Sequence, residues 1–174
     1  MTAIIRPEEH SNYAAIRKIN ELAFKNPAEG RLVDALRARP DYIRGLSLVA
    51  QLEKQIVGHI LFSPIKILSP EGKELSALAL APMAVLPDYQ NLGIGTQLVR
   101  NGLERCERMG YNTVVVLGHP TYYPKFGFER ASNYGIYCPF EVPDEAFMVW
   151  SPDASLLKKV QGTVVYPEEF NEVG

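Results

Sequence analysis

Two glycines one residue apart, Gly93 and Gly95, sit in the stretch Tyr89-Gln90-Asn91-Leu92-Gly93-Ile94-Gly95-Thr96, shortly after Pro87. Glycines at the head of a helix leave no Cβ between backbone N–H groups and an anion, and the helix dipole adds attraction. Two sharper versions of that chemistry fail on the residues present. A nucleotide-hydrolase phosphate loop needs Lys-Ser/Thr after its last glycine, where this chain has Thr96-Gln97. A dinucleotide fingerprint needs a third glycine at position 98, which is Leu98. An anion site built from main-chain donors remains, beside an ordinary strand-to-helix turn that uses glycine for its dihedrals. Spacing alone does not separate the two.

Other reactive side chains are scattered. Cys106 and Cys138 form neither a metal-ligand spacing nor a disulfide framework, and Cys138 has no histidine near it in sequence to make it a nucleophile. His59 falls mid-strand and reads as structural, and His10 falls in the first helix with no chemistry attached.

The elements that must position these residues follow from periodicity. Residues 3–6 read as a short strand, with Pro7, Glu8 and Glu9 opening a helix that runs to about Phe24. A second helix follows Pro27 and stops at Pro40. Residues 46–52 and 55–62 then read as a strand pair. A further pair flanks the turn Ser69-Pro70-Glu71-Gly72-Lys73, and residues 75–86, apolar on both faces, read as a central strand. From Ile94, the apolar positions Leu98, Val99, Leu103 and Cys106 mark a one-sided helix ended by Gly110. Residues 113–117 form a β-branched strand, and strands near 130–137, 146–150 and 162–166 follow. The order predicts a single mixed α/β domain.

Bulk properties limit the partners. The 174 residues are 47% hydrophobic with a formal net charge of -2, which gives no reason to propose nucleic acid or an anionic membrane. The longest apolar stretch, residues 77–86, is interrupted by Pro82 and too short for a bilayer. The start, MTAIIRPEEH, has neither the basic region nor the apolar run of a secretion signal. A cytoplasmic setting with free thiols is the expectation.

The run Met83-Ala84-Val85-Leu86-Pro87-Asp88-Tyr89-Gln90-Asn91-Leu92-Gly93-Ile94-Gly95 resembles the signature of the GNAT superfamily of acetyl-CoA-dependent N-acetyltransferases. That signature is an apolar strand, a proline, then Gln or Arg, two free positions, Gly, one position, and Gly or Ala opening a helix. A second family mark, a tyrosine four residues before Gly-Phe, is matched by Tyr123-Pro124-Lys125-Phe126-Gly127-Phe128. The order of elements to about residue 152 agrees with the family fold, leaving 153–174 as an extension packed on the same domain.

The resemblance implies a GNAT fold, α/β with a mostly antiparallel sheet and a parallel central splay. Acetyl-CoA would be the co-substrate, with no metal. Met83, Ala84 and Val85 would meet pantetheine and the acetyl group through backbone atoms. Asn91, Leu92, Gly93, Ile94, Gly95 and Thr96 would wrap the pyrophosphate, and Gln90 before them belongs to the same cofactor-binding set. A primary amine would attack the thioester directly, a backbone N–H would steady the oxyanion, and Tyr123 would protonate the departing thiolate, its pKa of roughly 10 lying near that of a thiol. Many relatives carry a glutamate base on the splayed strands, but residues 76–86 and 113–117 hold no acid. His119, just past the second of these, is a candidate base, against the plainer expectation that it caps the following segment or binds the cofactor. The acceptor would lie between the first two helices and the late strands, where Glu29, Asp34, Glu141, Asp144 and Glu145 supply acids. The fold admits a homodimer through its last strands, and no residue demands one. The missing carboxylate also suits a non-catalytic acyl-CoA-binding module, against which Tyr123 argues, since a pure binder has no thiolate to protonate.

Overall fold

The computed structural model describes residues 2–173. Along the chain run β1 (Ile4–Pro7), α1 (Tyr13–Phe24), α2 (Ala28–Arg37), β2 (Ser47–Leu52), β3 (Gln55–Leu68), β4 (Glu74–Val85), α3 (Ile94–Arg108), β5 (Val114–Leu117), β6 (Glu129–Arg130), β7 (Ile136–Tyr137), β8 (Phe147–Trp150) and β9 (Gly162–Val165), with short 3-10 turns between several of them. They fall into two compact units. One holds the chain up to Ser63, Ala81–Arg105 and the residues from Glu168 onward, and the other holds Pro64–Leu80 and Cys106–Pro167.

In the first unit β1 lies antiparallel on β2, from Ile4↔Gln51 to Pro7↔Leu48, and β2 lies antiparallel on β3. Successive side chains of a strand alternate between faces, and β3 uses both. Leu61 packs with Val49 against Ile16 of α1 and Leu32, Val33 and Leu36 of α2. On the opposite face Gly58 receives α3: a Cβ there would stand 3.0 Å from Leu98 Cδ1 and 3.3 Å from Ile94 Cγ2. Gly102 of α3 in turn lies over Phe62, whose ring would be 2.2 Å from an added Cβ.

Pro7 does not open the helix that its sequence context predicts. It ends β1, and Glu8 N–H continues the ladder by donating to Ser47 O at 2.8 Å. The helical turn begins at His10, where Glu9 and Asn12 form a reciprocal capping box.

In the second unit β4 runs parallel to β5 over Leu78↔Val114 and Ala79↔Val115, and Leu78 N–H donates to Thr113 O at 3.0 Å. Three residues beyond Ala79 comes Pro82, which has no N–H to give a ladder. β8 lies antiparallel on β5 and on β6, and β9 lies antiparallel on β3 and parallel to β7. The mixed α/β class expected from the sequence holds. Two boundaries differ from expectation. The expected strand over 55–62 and the one before Ser69 are a single 14-residue strand carried through Pro64. The expected strand over 130–137 is two short ones, β6 and β7, parted by the 3-10 turn Ala131–Tyr134 and by Gly135 at φ 72°.

Candidate active site

β4 ends at Val85, and Leu86 N–H donates back to Val57 O at 2.8 Å. The 3-10 turn Pro87–Tyr89 follows, with Tyr89 Oη donating to Gln55 Oε1 at 2.9 Å. Gln90 folds its side chain onto the strand it has just left, Nε2 donating to Val85 O at 3.0 Å. Asn91 and Gly93 both take left-handed backbone, φ 64° and 84°, a conformation Asn and Gly accept with least strain. Gln90, Asn91, Leu92 and Gly93 are exposed, whereas Ile94 is buried and anchors the helix. Gln97 N–H donates to Gly93 O at 3.1 Å, one of the first rungs of α3. The amides of Ile94 and Gly95 precede Gln97, at the positive end of a 15-residue helix. Thr96 is half-buried in its first turn, and Met83, Ala84 and Val85 form the last residues of β4, Met83 half-buried and the other two buried.

Tyr123 opens a short 3-10 turn, Tyr123–Phe126, in the second unit, and only 8% of it is exposed. Its ring lies edge-on to Tyr122 and Phe128, with centroids 5.1 and 5.5 Å away. A Cβ on Gly118 would come within 2.4 Å of the ring, so the missing side chain at the end of β5 makes room for the phenol. Burial, and secondarily the neighbouring Tyr122, raise the pKa of Tyr123 above the ordinary phenol value, which keeps its proton in place at neutral pH. His119 carries this turn through its main chain. Its carbonyl accepts from Tyr122 N–H at 3.1 Å and Tyr123 N–H at 3.4 Å, and the residue is exposed.

One polar cluster in the first unit has no counterpart in the sequence reading. Glu8 is fully buried, and its carboxylate accepts both Arg37 Nε and Nη2, at 2.8 and 2.9 Å. It also accepts Ser47 Oγ at 2.6 Å and the hydroxyl of Tyr42. Ser47 gives its proton to Glu8, so its oxygen accepts from His59 Nε2 at 3.0 Å, and His59 Nδ1 is left buried without a partner. Burial pushes Glu8 up, but the bonds from Arg37, Ser47 and Tyr42 together hold it below the usual carboxylate value. Burial drives His59 down to about 3, against the opposing pull of Glu8. Arg37 also stacks on the Tyr13 ring, 3.7 Å from its centroid. The signal for this cluster was faint: a lone Ser and a lone His at register positions of two apolar strands.

Both thiols are free, and burial raises Cys106 to about 12, which leaves it unreactive. Among the described residues no group of three His, Cys, Asp or Glu side chains could hold a metal, and no helix is long and apolar enough to cross a membrane.

Comparison with known proteins meets this geometry. The sequence profile of the acetyltransferase (GNAT) family matches residues 13–128. The chain is 36% identical over 169 residues to the uncharacterized N-acetyltransferase YhbS of Escherichia coli K12, covering 97% of this chain and 98% of YhbS. It is 39% identical over 143 residues to the uncharacterized N-acetyltransferase YjhQ of the same strain, covering 82% of this chain and 78% of YjhQ. The crystal structure of YhbS in complex with CoA superimposes with a TM-score of 0.90 at 34% identity, covering 100% of this chain and 94% of that one. A GNAT acetyltransferase from Brucella melitensis in complex with acetyl-CoA gives 0.77 at 35% identity, covering 97% of each chain.

Proposed function

Because the chain belongs to the acetyltransferase (GNAT) family, we propose that it transfers the acetyl group of acetyl-CoA to a primary amine by direct attack. The observation that carries the reading is the end of β4 and the head of α3. An exposed loop with left-handed Asn91 and Gly93 presents main-chain amides at the start of a long helix, with no Lys or Arg among residues 83–96. Such amides suit a pyrophosphate without side-chain cations. In this reading Asn91, Leu92, Gly93, Ile94, Gly95 and Thr96 hold the pyrophosphate, and Met83, Ala84 and Val85 meet pantetheine through their backbone. Gln90 serves from behind, its side chain fastening the loop to Val85 O. The CoA complexes of YhbS and of the Brucella protein support the choice of co-substrate.

The amine nitrogen, once neutral, attacks the thioester carbonyl. A C–N bond forms, the C–S bond breaks, Tyr123 Oη gives its proton to the leaving thiolate, and the proton shed by the acylated nitrogen passes through water to restore the phenol. A phenol with a raised pKa is a weaker acid than a free tyrosine but is fully protonated when its turn comes. Tyr123→Phe removes the hydroxyl and keeps the ring that Gly118 makes room for. Turnover should fall about 10²- to 10⁴-fold while coenzyme A binding by calorimetry stays within about twofold of wild type. Full activity in that variant removes the acid assignment. His119→Ala tests the second candidate: a comparable loss makes its ring the base, and unchanged turnover leaves only its main-chain role in the turn.

The same reading sets the protein in the cytoplasm, where Cys106 and Cys138 stay reduced. It allows a homodimer through the last strands, which the exposed side chains of Leu68, Tyr137 and Val165 support; light scattering at micromolar concentration tests it. Residues 153–174 belong, in this reading, to the same domain as the rest.

A further inference from the structure

Among the described residues of the first unit, three side-chain oxygens are buried and have no hydrogen-bond donor: Asn20 Oδ1 on α1, Glu29 Oε1 on α2 and Ser63 Oγ on β3. Asn20 and Ser63 are 0% and 3% exposed. Asn20 spends its amide group on Ile16 O at 2.9 Å, which turns its carbonyl oxygen the other way. A bare oxygen in such a place costs free energy, most of all a carboxylate oxygen.

Their places in the fold bring the three to one end of the helix–sheet layer. His59 of β3 reaches the Glu8–Arg37 cluster through Ser47, at the C-terminal end of α2. Leu61, two residues on, shares one buried cluster with Leu32, Val33 and Leu36 of α2 and with Ile16. Ser63 is the next residue on that face. From His59 to Ser63 the strand advances about 13 Å, and from Arg37 back to Glu29 the helix retreats about 12 Å. Asn20 is one turn beyond Ile16. A Cβ on Gly30 would stand 3.3 Å from Arg17 Cγ and 3.7 Å from Glu21 Cγ, so the first turn of α2 rests on the part of α1 that carries Asn20.

Two of the other acids suggested by the sequence are already engaged. Asp34 pairs with Arg17 at 3.1 Å and with Arg37 at 3.0 Å, and Asp144 pairs with Arg130 at 3.5 Å. Among the described residues none forms an ion pair with Glu29, and one of its oxygens is buried without a hydrogen-bond partner.

We propose that Asn20, Glu29 and Ser63 receive a protonated amino group of the acceptor. One carboxylate and two neutral oxygens match the charge and the three N–H donors of a primary ammonium. A carboxylate beside an ammonium favours its charged form, and a charged nitrogen has no lone pair with which to attack a thioester. The anchored nitrogen is therefore not the one acetylated, and the acceptor is a diamine or polyamine, held by one end and acetylated at another. This rests on the acetyltransfer reading above, and the test separates the two.

The probes are the α,ω-diamines from 1,3-diaminopropane to 1,6-diaminohexane and the monoamines of equal chain length. Binding to the protein saturated with coenzyme A is measured by calorimetry, and thiol release from acetyl-CoA is measured in parallel. At least one diamine should bind about 10- to 100-fold more tightly than its monoamine, the range of a hydrogen bond to a charged group. Glu29→Gln, of the same shape, should erase that preference and raise KM for the diamine with kcat little changed; Ser63→Ala should reduce it. Equal binding of every diamine and its monoamine overturns the proposal, as does a preference that survives Glu29→Gln. Preferential binding with no thiol release keeps the ammonium site and removes the acetyltransfer reading. Equal turnover of mono- and diamines does the reverse.

Discussion

His59 shows how much a single buried side chain can ask of its neighbours. An unfolded chain protonates histidine below about pH 6.5, whereas folded His59 takes a proton only near 3. Between those values the unfolded state binds more protons, so stability falls as pH falls through that window. Glu8 is held below its usual 4.5 and adds a second loss at lower pH, where its carboxylate must be protonated and its bonds to Arg37, Ser47 and Tyr42 given up. Thermal melts should be flat above about pH 7 and decline steadily from about pH 6.5 to 4. His59→Gln keeps a donor for Ser47 and removes the titration, so its curve should stay flat until the Glu8 loss sets in. An identical slope in that variant would falsify the assignment. None of this was legible at the residue scale, because Pro7-Glu8-Glu9 carries the signature of a helix start. The partners that make Glu8 a core residue lie 29 to 39 positions away in sequence.

At the scale of elements, α3 was the most legible part of the chain, since its apolar stripe and its glycines both announce themselves locally. What the periodicity did not reveal is why Gly102 sits within that stripe. A helix interior normally disfavours glycine by about 1 kcal/mol relative to alanine. Here the helix approaches β3 so closely that a Cβ at 102 would lie 2.2 Å from Phe62 Cε1 and 2.5 Å from Cζ. Gly102→Ala should therefore destabilise by about 1–3 kcal/mol, overpacking outweighing the gain in helix propensity. Denaturant titration measures the loss, and Phe62→Leu in the same chain should recover much of it. A stabilised Gly102→Ala would mean that α3 rides higher on the strand. The same close approach at Gly58, under Ile94 and Leu98, seats the head of α3, so the helix and the loop it presents are fixed from beneath. The short strands β6 and β7 were illegible for the opposite reason. Each is two residues long, too short to show a period, and their places are set by β8 and β9.

At the scale of the whole chain, the question is what residues 153–174 do beyond the matched family profile, which ends at 128. The tail serves each unit separately. In the second unit Val164 and Leu157 are buried, and β9 pairs Lys66↔Val165, Ile67↔Val164 and Leu68↔Thr163 along β3. That pairing needs Gly162, at φ 147° and with Leu68 O 2.1 Å from where a Cβ would be. In the first unit Glu169 pairs with Arg39 at 3.0 Å, and Phe170 and Val173 pack against the Ile16–Leu61 cluster. Two fully buried aliphatic side chains are each worth about 1.5–3 kcal/mol, in a fold whose net stability is on the order of 5–15 kcal/mol. A chain ending at 152 should lose most of its stability and recover poorly as folded protein. One ending at 167 keeps β9 and should lose only the contribution of Phe170, Val173 and the Arg39–Glu169 pair, a midpoint shift of a few degrees for about 1 kcal/mol. Denaturation midpoints of the two truncations against the full chain measure this directly. If the chain ending at 152 melts with the full-length protein, the tail is an appendage, and β3 completes its own edge without it.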